Sequence, residues 1–66
     1  MTGGGRYHLL LELGGRPVQH GWWHREEVAR DKFRRCVSDY SSTPGARVSL
    51  FDDETGQVLA TWPDDR

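Results

Sequence analysis

The chain has 66 residues, of which 35% are hydrophobic, and its 9 basic and 10 acidic residues give a formal net charge of −1. This length allows one domain, and its core is small because a domain of this size buries only about 60% of the surface of its unfolded chain. The charge balance argues against a polybasic nucleic-acid arm. No apolar run approaches the roughly 20 residues of a membrane span, so no membrane partner is expected.

We expect a single domain over residues 6–62, with a flexible tail at 1–5 and a frayed C-terminus at 63–66. The one cysteine, Cys36, excludes an intramolecular disulfide. No secretory signal is visible, which favours a reducing cytoplasm. A domain this small without a disulfide depends on good packing or on oligomerisation. A homodimer is therefore expected, or a complex with another protein.

The first two predicted elements form a hairpin. Residues 7–13 alternate like a strand, Gly14-Gly15 follows, and residues 16–23 return as a second strand. A Gly-Gly loop suits a tight primed turn because both positions need positive φ. Simple pairing across this loop puts Trp22 on the face of the leucine row and Trp23 on the opposite face.

A helix is predicted over residues 25–40, where apolar side chains recur at helical spacing. Two ion pairs of favourable order, Glu26–Arg30 and Asp31–Arg35, fit the same helix. The apolar stripe consists of Ala29, Phe33, Cys36 and Tyr40.

The last two predicted strands, 47–52 and 57–62, are joined by a turn that ends in Gly56. Pairing Asp53 with Gln57 across the turn sets the faces of both strands. This register places Val58 in the core, and it places Leu59 on the opposite face.

The element order is therefore ββαββ, an α+β fold. An order of 2-1-3-4 makes the sheet fully antiparallel, with the helix crossing from the second strand to the third and covering one face. Since one helix covers one face, the other face should be polar.

The predicted registers nevertheless place four large apolar residues on the uncovered face. Clustered apolar residues on a surface mark interaction sites, whereas single exposed ones are normal. We expect the cluster to be an interaction surface for self-association or for another protein. Its members are Leu10, Trp23, Phe51 and Leu59.

Metal binding is not expected, although His8, His20, His24 and Cys36 could in principle be zinc ligands. Zinc requires ligands that converge on one point. The predicted register puts His8 and His20 on opposite faces of the sheet, and Cys36 lies in the apolar stripe of the helix. No other cofactor is indicated.

Enzyme activity is not expected either. A reactive cysteine needs a partly exposed, electropositive environment, and Cys36 lies on the apolar stripe. The acids at 52–54 are explained by turn chemistry. No nucleophile and general base are predicted to lie close together, and no small-molecule substrate is evident.

Nucleic-acid binding is the alternative function, with Arg30, Arg34 and Arg35 on the helix as the contacts. Against it, residues 25–40 carry five basic and four acidic groups, which is typical of a solvated helix surface.

The chain resembles short single-domain proteins of high-GC actinobacteria, for which the resemblance implies no activity. The residues that carry it lie in 7–13, 19–23 and 46–57, together with Ala29 and Phe33 of the helix. A hairpin followed by an Arg-Glu-Glu helix is also similar to HicB-type antitoxins, although a recognisable DNA-binding extension is lacking. Both resemblances are compatible with a small cytoplasmic interaction module.

Overall fold

The computed structural model describes residues 5–63. The sheet is antiparallel with the order β2-β1-β3-β4, which confirms the predicted α+β class, element order and strand order. Apart from Gly5 and Pro63, the tails predicted at 1–5 and 63–66 lie outside the described residues. The elements are β1 (Tyr7–Leu13), β2 (Arg16–Trp23), α1 (Glu26–Tyr40), β3 (Ala46–Asp52) and β4 (Gln57–Trp62).

The core lies between α1 and the two inner strands. Leu9 and Leu11 of β1 pair with Leu50 and Val48 of β3, and all four side chains are buried on the helix side. Ala29 of α1 is fully buried against them. Its small side chain lets the helix backbone approach the sheet closely, which gives a small domain the dense packing that it needs.

The first hairpin turn has the predicted geometry. Gly14 has φ 60° and Gly15 has φ 83°, the left-handed values that a primed two-residue turn requires and that glycine adopts without strain. The Gly14 amide also donates to the Gly45 carbonyl at 3.0 Å. The tip of the hairpin is thereby tied to the loop that leads from α1 into β3.

The register of β2 differs from the prediction because the strand contains a bulge. Pairing begins as expected, but Val18 is an extra residue, so Leu11 lies opposite Gln19. Side chains alternate with a period of two, so one extra residue reverses every face beyond it. The predicted placement of Trp22 in the core and Trp23 on the open face is therefore wrong, and the two positions are exchanged.

Trp23 lies on the helix side, where it packs against the core. Its indole ring extends over Gly21, and a Cβ atom at Gly21 would collide with that ring. Glycine at this position therefore provides the space that the aromatic side chain occupies.

The register of β4 also differs from the prediction, because this strand contains a second bulge. The turn pairs Asp52 with Gln57, one residue earlier than expected, and the extra residue Leu59 then restores the predicted pairing of Leu50 with Ala60. Leu59 packs against the core, whereas Val58 is 56% exposed. The predicted faces of Val58 and Leu59 are wrong for the same reason as those of the tryptophans.

An ion pair between the exposed Arg6 and the buried Asp52 closes one end of the sheet. The Arg6 guanidinium donates from Nε and Nη2 to the two carboxylate oxygens of Asp52, both at 2.8 Å. Asp52 also accepts from the Glu54 amide at 3.0 Å, and the Asp53 amide donates to the Arg6 carbonyl at 2.9 Å. The hydrogen-bonded guanidinium lowers the pKa of the Asp52 carboxyl, so this end of the sheet depends on an ionised carboxylate.

We expect Leu50→Ala to lower the free energy of unfolding by about 2–5 kcal/mol, because it removes a fully buried side chain and leaves a cavity. Urea unfolding followed by circular dichroism measures the change. Val58→Ala is the control, with an expected change of about 0.5 kcal/mol or less, since its side chain is exposed. Equal losses in the two variants would contradict the β4 register.

The Arg6–Asp52 pair predicts a loss of stability in acid. The folded-state pKa of Asp52 lies below its ordinary value of 3.8, so its contribution is complete above pH 3.8 and is lost as the pH falls through the folded value. Asp52→Asn should lower the urea midpoint at neutral pH, and the difference from the wild type should shrink in acid. Asp39→Asn, at an exposed helical position, is the control. A difference that does not change with pH would contradict the ion-pair role.

Candidate functional site on the uncovered sheet face

The sheet face opposite α1 brings together aromatic side chains from three adjacent strands. His8 of β1 lies between Trp22 of β2 and Phe51 of β3 in the strand pairing, and His20 lies two residues from Trp22 along β2, opposite Leu10. We call His8, His20, Trp22 and Phe51 the aromatic cluster. Among residues 5–63, α1 is the only helix, and it packs on the other face.

The His8 ring is the centre of this cluster. It is parallel to the Trp22 indole within 5°, with ring centroids 4.5 Å apart, which is a favourable offset-stacked arrangement. The Phe51 ring lies 5.7 Å away and is tilted by 35°. His8 Nε2 lies 2.8 Å from His20 Nδ1, a hydrogen bond whose donor depends on the tautomers of the two rings.

Asp53, in the β3–β4 turn, borders the cluster. Trp22 Nε1 donates to Asp53 Oδ2 at 3.2 Å, and Asp53 Oδ1 lies 4.0 Å from His8 Nδ1. One carboxylate thus holds the indole in place and faces the second nitrogen of the central imidazole. In the sequence, Asp53 is explained as a turn residue, so its position beside the aromatic cluster was not predicted.

The environment of His8 favours its neutral form. Burial among the neighbouring rings lowers the pKa of His8 from its ordinary 6.5, and the nearby His20 acts in the same direction, whereas Asp53 opposes them. Near neutral pH the cluster therefore presents an uncharged imidazole.

The four predicted interaction residues are divided between the two faces. Leu10 and Phe51 lie on the uncovered face as expected, but Trp23 and Leu59 pack on the helix side. The two bulges replace them on the uncovered face with their chain neighbours, Trp22 and Val58. The sequence signal for the first exchange was Gly21, which leaves room for an aromatic ring on its own face.

The uncovered face carries charges of both signs. Glu12 of β1 and Arg47 of β3 lie directly opposite each other in the strand pairing. Together with Asp53 at the turn, they leave this surface without a strong net charge.

The helix arginines proposed for nucleic acid are ion-paired within α1. Arg30 Nε donates to Glu26 at 2.7 Å and Arg35 Nε donates to Asp31 at 3.0 Å, which confirms both predicted pairs. Arg34 also donates to Asp31, at 3.2 Å. These carboxylate partners offset part of the positive charge on the surface of α1.

Cys36 is half-buried, and burial raises the pKa of its thiol. A protonated thiol is a poor nucleophile. A cleft of about 450 Å³ lies nearby, between β2 and α1, and Trp23, Lys32, Cys36 and Tyr40 are among its lining residues.

The prediction that His8 and His20 lie on opposite faces of the sheet is wrong. His8 and His20 share one face and are hydrogen-bonded, because the bulge at Val18 reverses the face of His20. Within residues 5–63, however, no group of three or more His, Cys, Asp or Glu side chains is arranged to hold a metal ion.

Comparison of the chain with protein-family models, curated proteins and solved structures returned no significant match. No helix in the described part of the chain is long and apolar enough to cross a membrane. The geometry of the uncovered face is therefore the basis on which we propose a function.

We expect His8 to titrate below pH 6.5 in NMR, because its burial disfavours the charged ring. The His8 side chain then binds a proton more tightly in the unfolded chain than in the folded domain. Protonation of His8 therefore lowers the stability of the domain as the pH falls below 6.5. Trp22→Ala exposes the ring and should raise the midpoint toward 6.5. A wild-type midpoint at or above 6.5 would contradict the packing of His8 described above.

Proposed function

We propose that this domain is a small cytoplasmic protein-interaction module that self-associates through the uncovered sheet face. One observation carries the proposal: a cluster of aromatic and apolar side chains lies on a face that no helix of residues 5–63 covers. Trp22 is 44% exposed and Val58 is 56% exposed. We call this surface the open-face patch. It comprises His8, Leu10, Trp22, Phe51 and Val58.

The charge on this face is compatible with a second copy of the chain as the partner. A two-fold dimer places the same patch on both sides of the interface, so a strong net charge would repel itself. The uncovered face instead has Glu12 and Arg47 on neighbouring strands. Identical faces of this kind can meet without like charges being forced together.

The size of the sheet sets the expected strength of the dimer. Four strands about 4.8 Å apart, each six to eight residues long at about 3.3 Å per residue, give a flat footprint of about 440 Å². A standard stable interface buries about 800 Å² on each partner. We therefore propose a reversible, concentration-dependent dimer, in keeping with a regulatory module.

The first test is sedimentation velocity of the full chain over a range of concentrations in buffer with EDTA. Val58→Asp should weaken self-association at least about tenfold, because two-fold symmetry introduces the buried carboxylate twice. Val58 is exposed in one copy, so the variant should fold normally. Ser38→Asp, at an exposed position on α1, is the matched control and should leave self-association unchanged.

A wild type that remains monomeric at high concentration would overturn the proposal, as would an equal effect of the two variants.

The alternative of a regulatory nucleic-acid binder is tested by titrating mixed DNA and RNA at low salt. Binding that weakens as salt rises and that is lost in Arg34→Glu would favour the alternative.

A further inference from the structure

We propose that His8 and His20 form a binding site for one divalent transition-metal ion of the Zn²⁺, Ni²⁺ or Cu²⁺ class. The two nitrogens that would bind it, His8 Nε2 and His20 Nδ1, already lie 2.8 Å apart. The ring planes are within 14° of parallel. The inference does not depend on self-association, since both ligands come from one chain.

The separation of the two nitrogens is close to the value that a shared ion requires. Metal–imidazole bonds of about 2.0–2.1 Å, meeting at an angle between a right angle and the tetrahedral one, hold two nitrogens about 2.9–3.3 Å apart. The observed 2.8 Å is shorter by a few tenths of an ångström or less. In the present hydrogen bond the two nitrogens point toward each other. Metal binding therefore requires both rings to turn until their lone pairs meet at one ion, which replaces the hydrogen bond by two metal–nitrogen bonds.

Asp53 lies near the position of the carboxylate that commonly supports a metal-bound histidine. Such histidines donate their other ring N–H to an acceptor, which fixes the tautomer and orients the ring. A metal on His8 Nε2 leaves the proton on Nδ1, which lies 4.0 Å from Asp53 Oδ1. This distance is longer than a hydrogen bond, so the carboxylate has to move closer to support the ring. The carboxylate is itself held by the Trp22 indole at 3.2 Å.

The chemistry of the two ligands selects the class of metal. Imidazole nitrogen suits zinc, nickel and copper, whereas calcium and magnesium prefer oxygen ligands. The described residues provide no cluster of three ligands, so water would complete the coordination. Binding should therefore be weaker than at a four-ligand structural zinc site, and the ion should exchange.

Isothermal titration of the tag-free full chain with ZnCl₂ and, separately, NiCl₂ tests the site. We expect one ion per chain, with His20→Gln weakening binding at least about tenfold. Asp53→Asn should weaken it by about tenfold as well, because it removes the supporting carboxylate. His24→Gln is the matched control and should bind like the wild type, since His24 is exposed and lies outside the aromatic cluster.

A second measurement on the wild type does not depend on the folding of any variant. In ¹H–¹³C NMR spectra, Zn²⁺ should shift the imidazole signals of His8 and His20 and leave those of His24 in place. Absence of binding in the wild type, equal binding by His20→Gln and His24→Gln, or a shift confined to His24 would overturn the proposal. Sedimentation in EDTA tests self-association separately, so the failure of either proposal is distinguishable from failure of the other.

Discussion

The extra residue at Val18 determines how β2 divides its side chains between the two faces of the sheet. Beyond the bulge, Gly21 and Trp23 face α1, and the indole ring fills the space above the glycine. The same shift turns His20 and Trp22 onto the uncovered face, where they meet His8. One inserted residue thus completes the core on one side and assembles the aromatic cluster on the other.

Elements and topology could be predicted from the sequence because their signals are local and strong. Gly14-Gly15 indicates a tight turn, and both glycines have the positive φ that such a turn requires. The helical spacing of the apolar residues indicates which face of α1 is buried, and Ala29 on that face is fully buried. The bulges could not be predicted, because each bulged strand contains two adjacent apolar residues. Val58 and Leu59 fit the core equally well by pattern, as do the neighbouring tryptophans, so alternation does not decide which residue faces inward.

The candidate site was missed for a related reason. A face is known only when the register is known, and an error of one residue moves a whole set of side chains to the other side. His8 and His20 were separated by that error alone. Asp53 needed a second piece of information, the closing of its turn on Asp52 and Arg6, which is a long-range contact that no local pattern contains.

The composition of the uncovered face suits a surface that is exposed part of the time. A face of aliphatic residues of the same area would promote non-specific aggregation, because it offers water no hydrogen-bonding partner. His8, His20 and Trp22 each combine a flat apolar ring with a polar nitrogen, and those nitrogens are engaged by each other and by Asp53. The rings therefore provide contact area for a partner while one nitrogen of each ring stays hydrogen-bonded in the isolated domain.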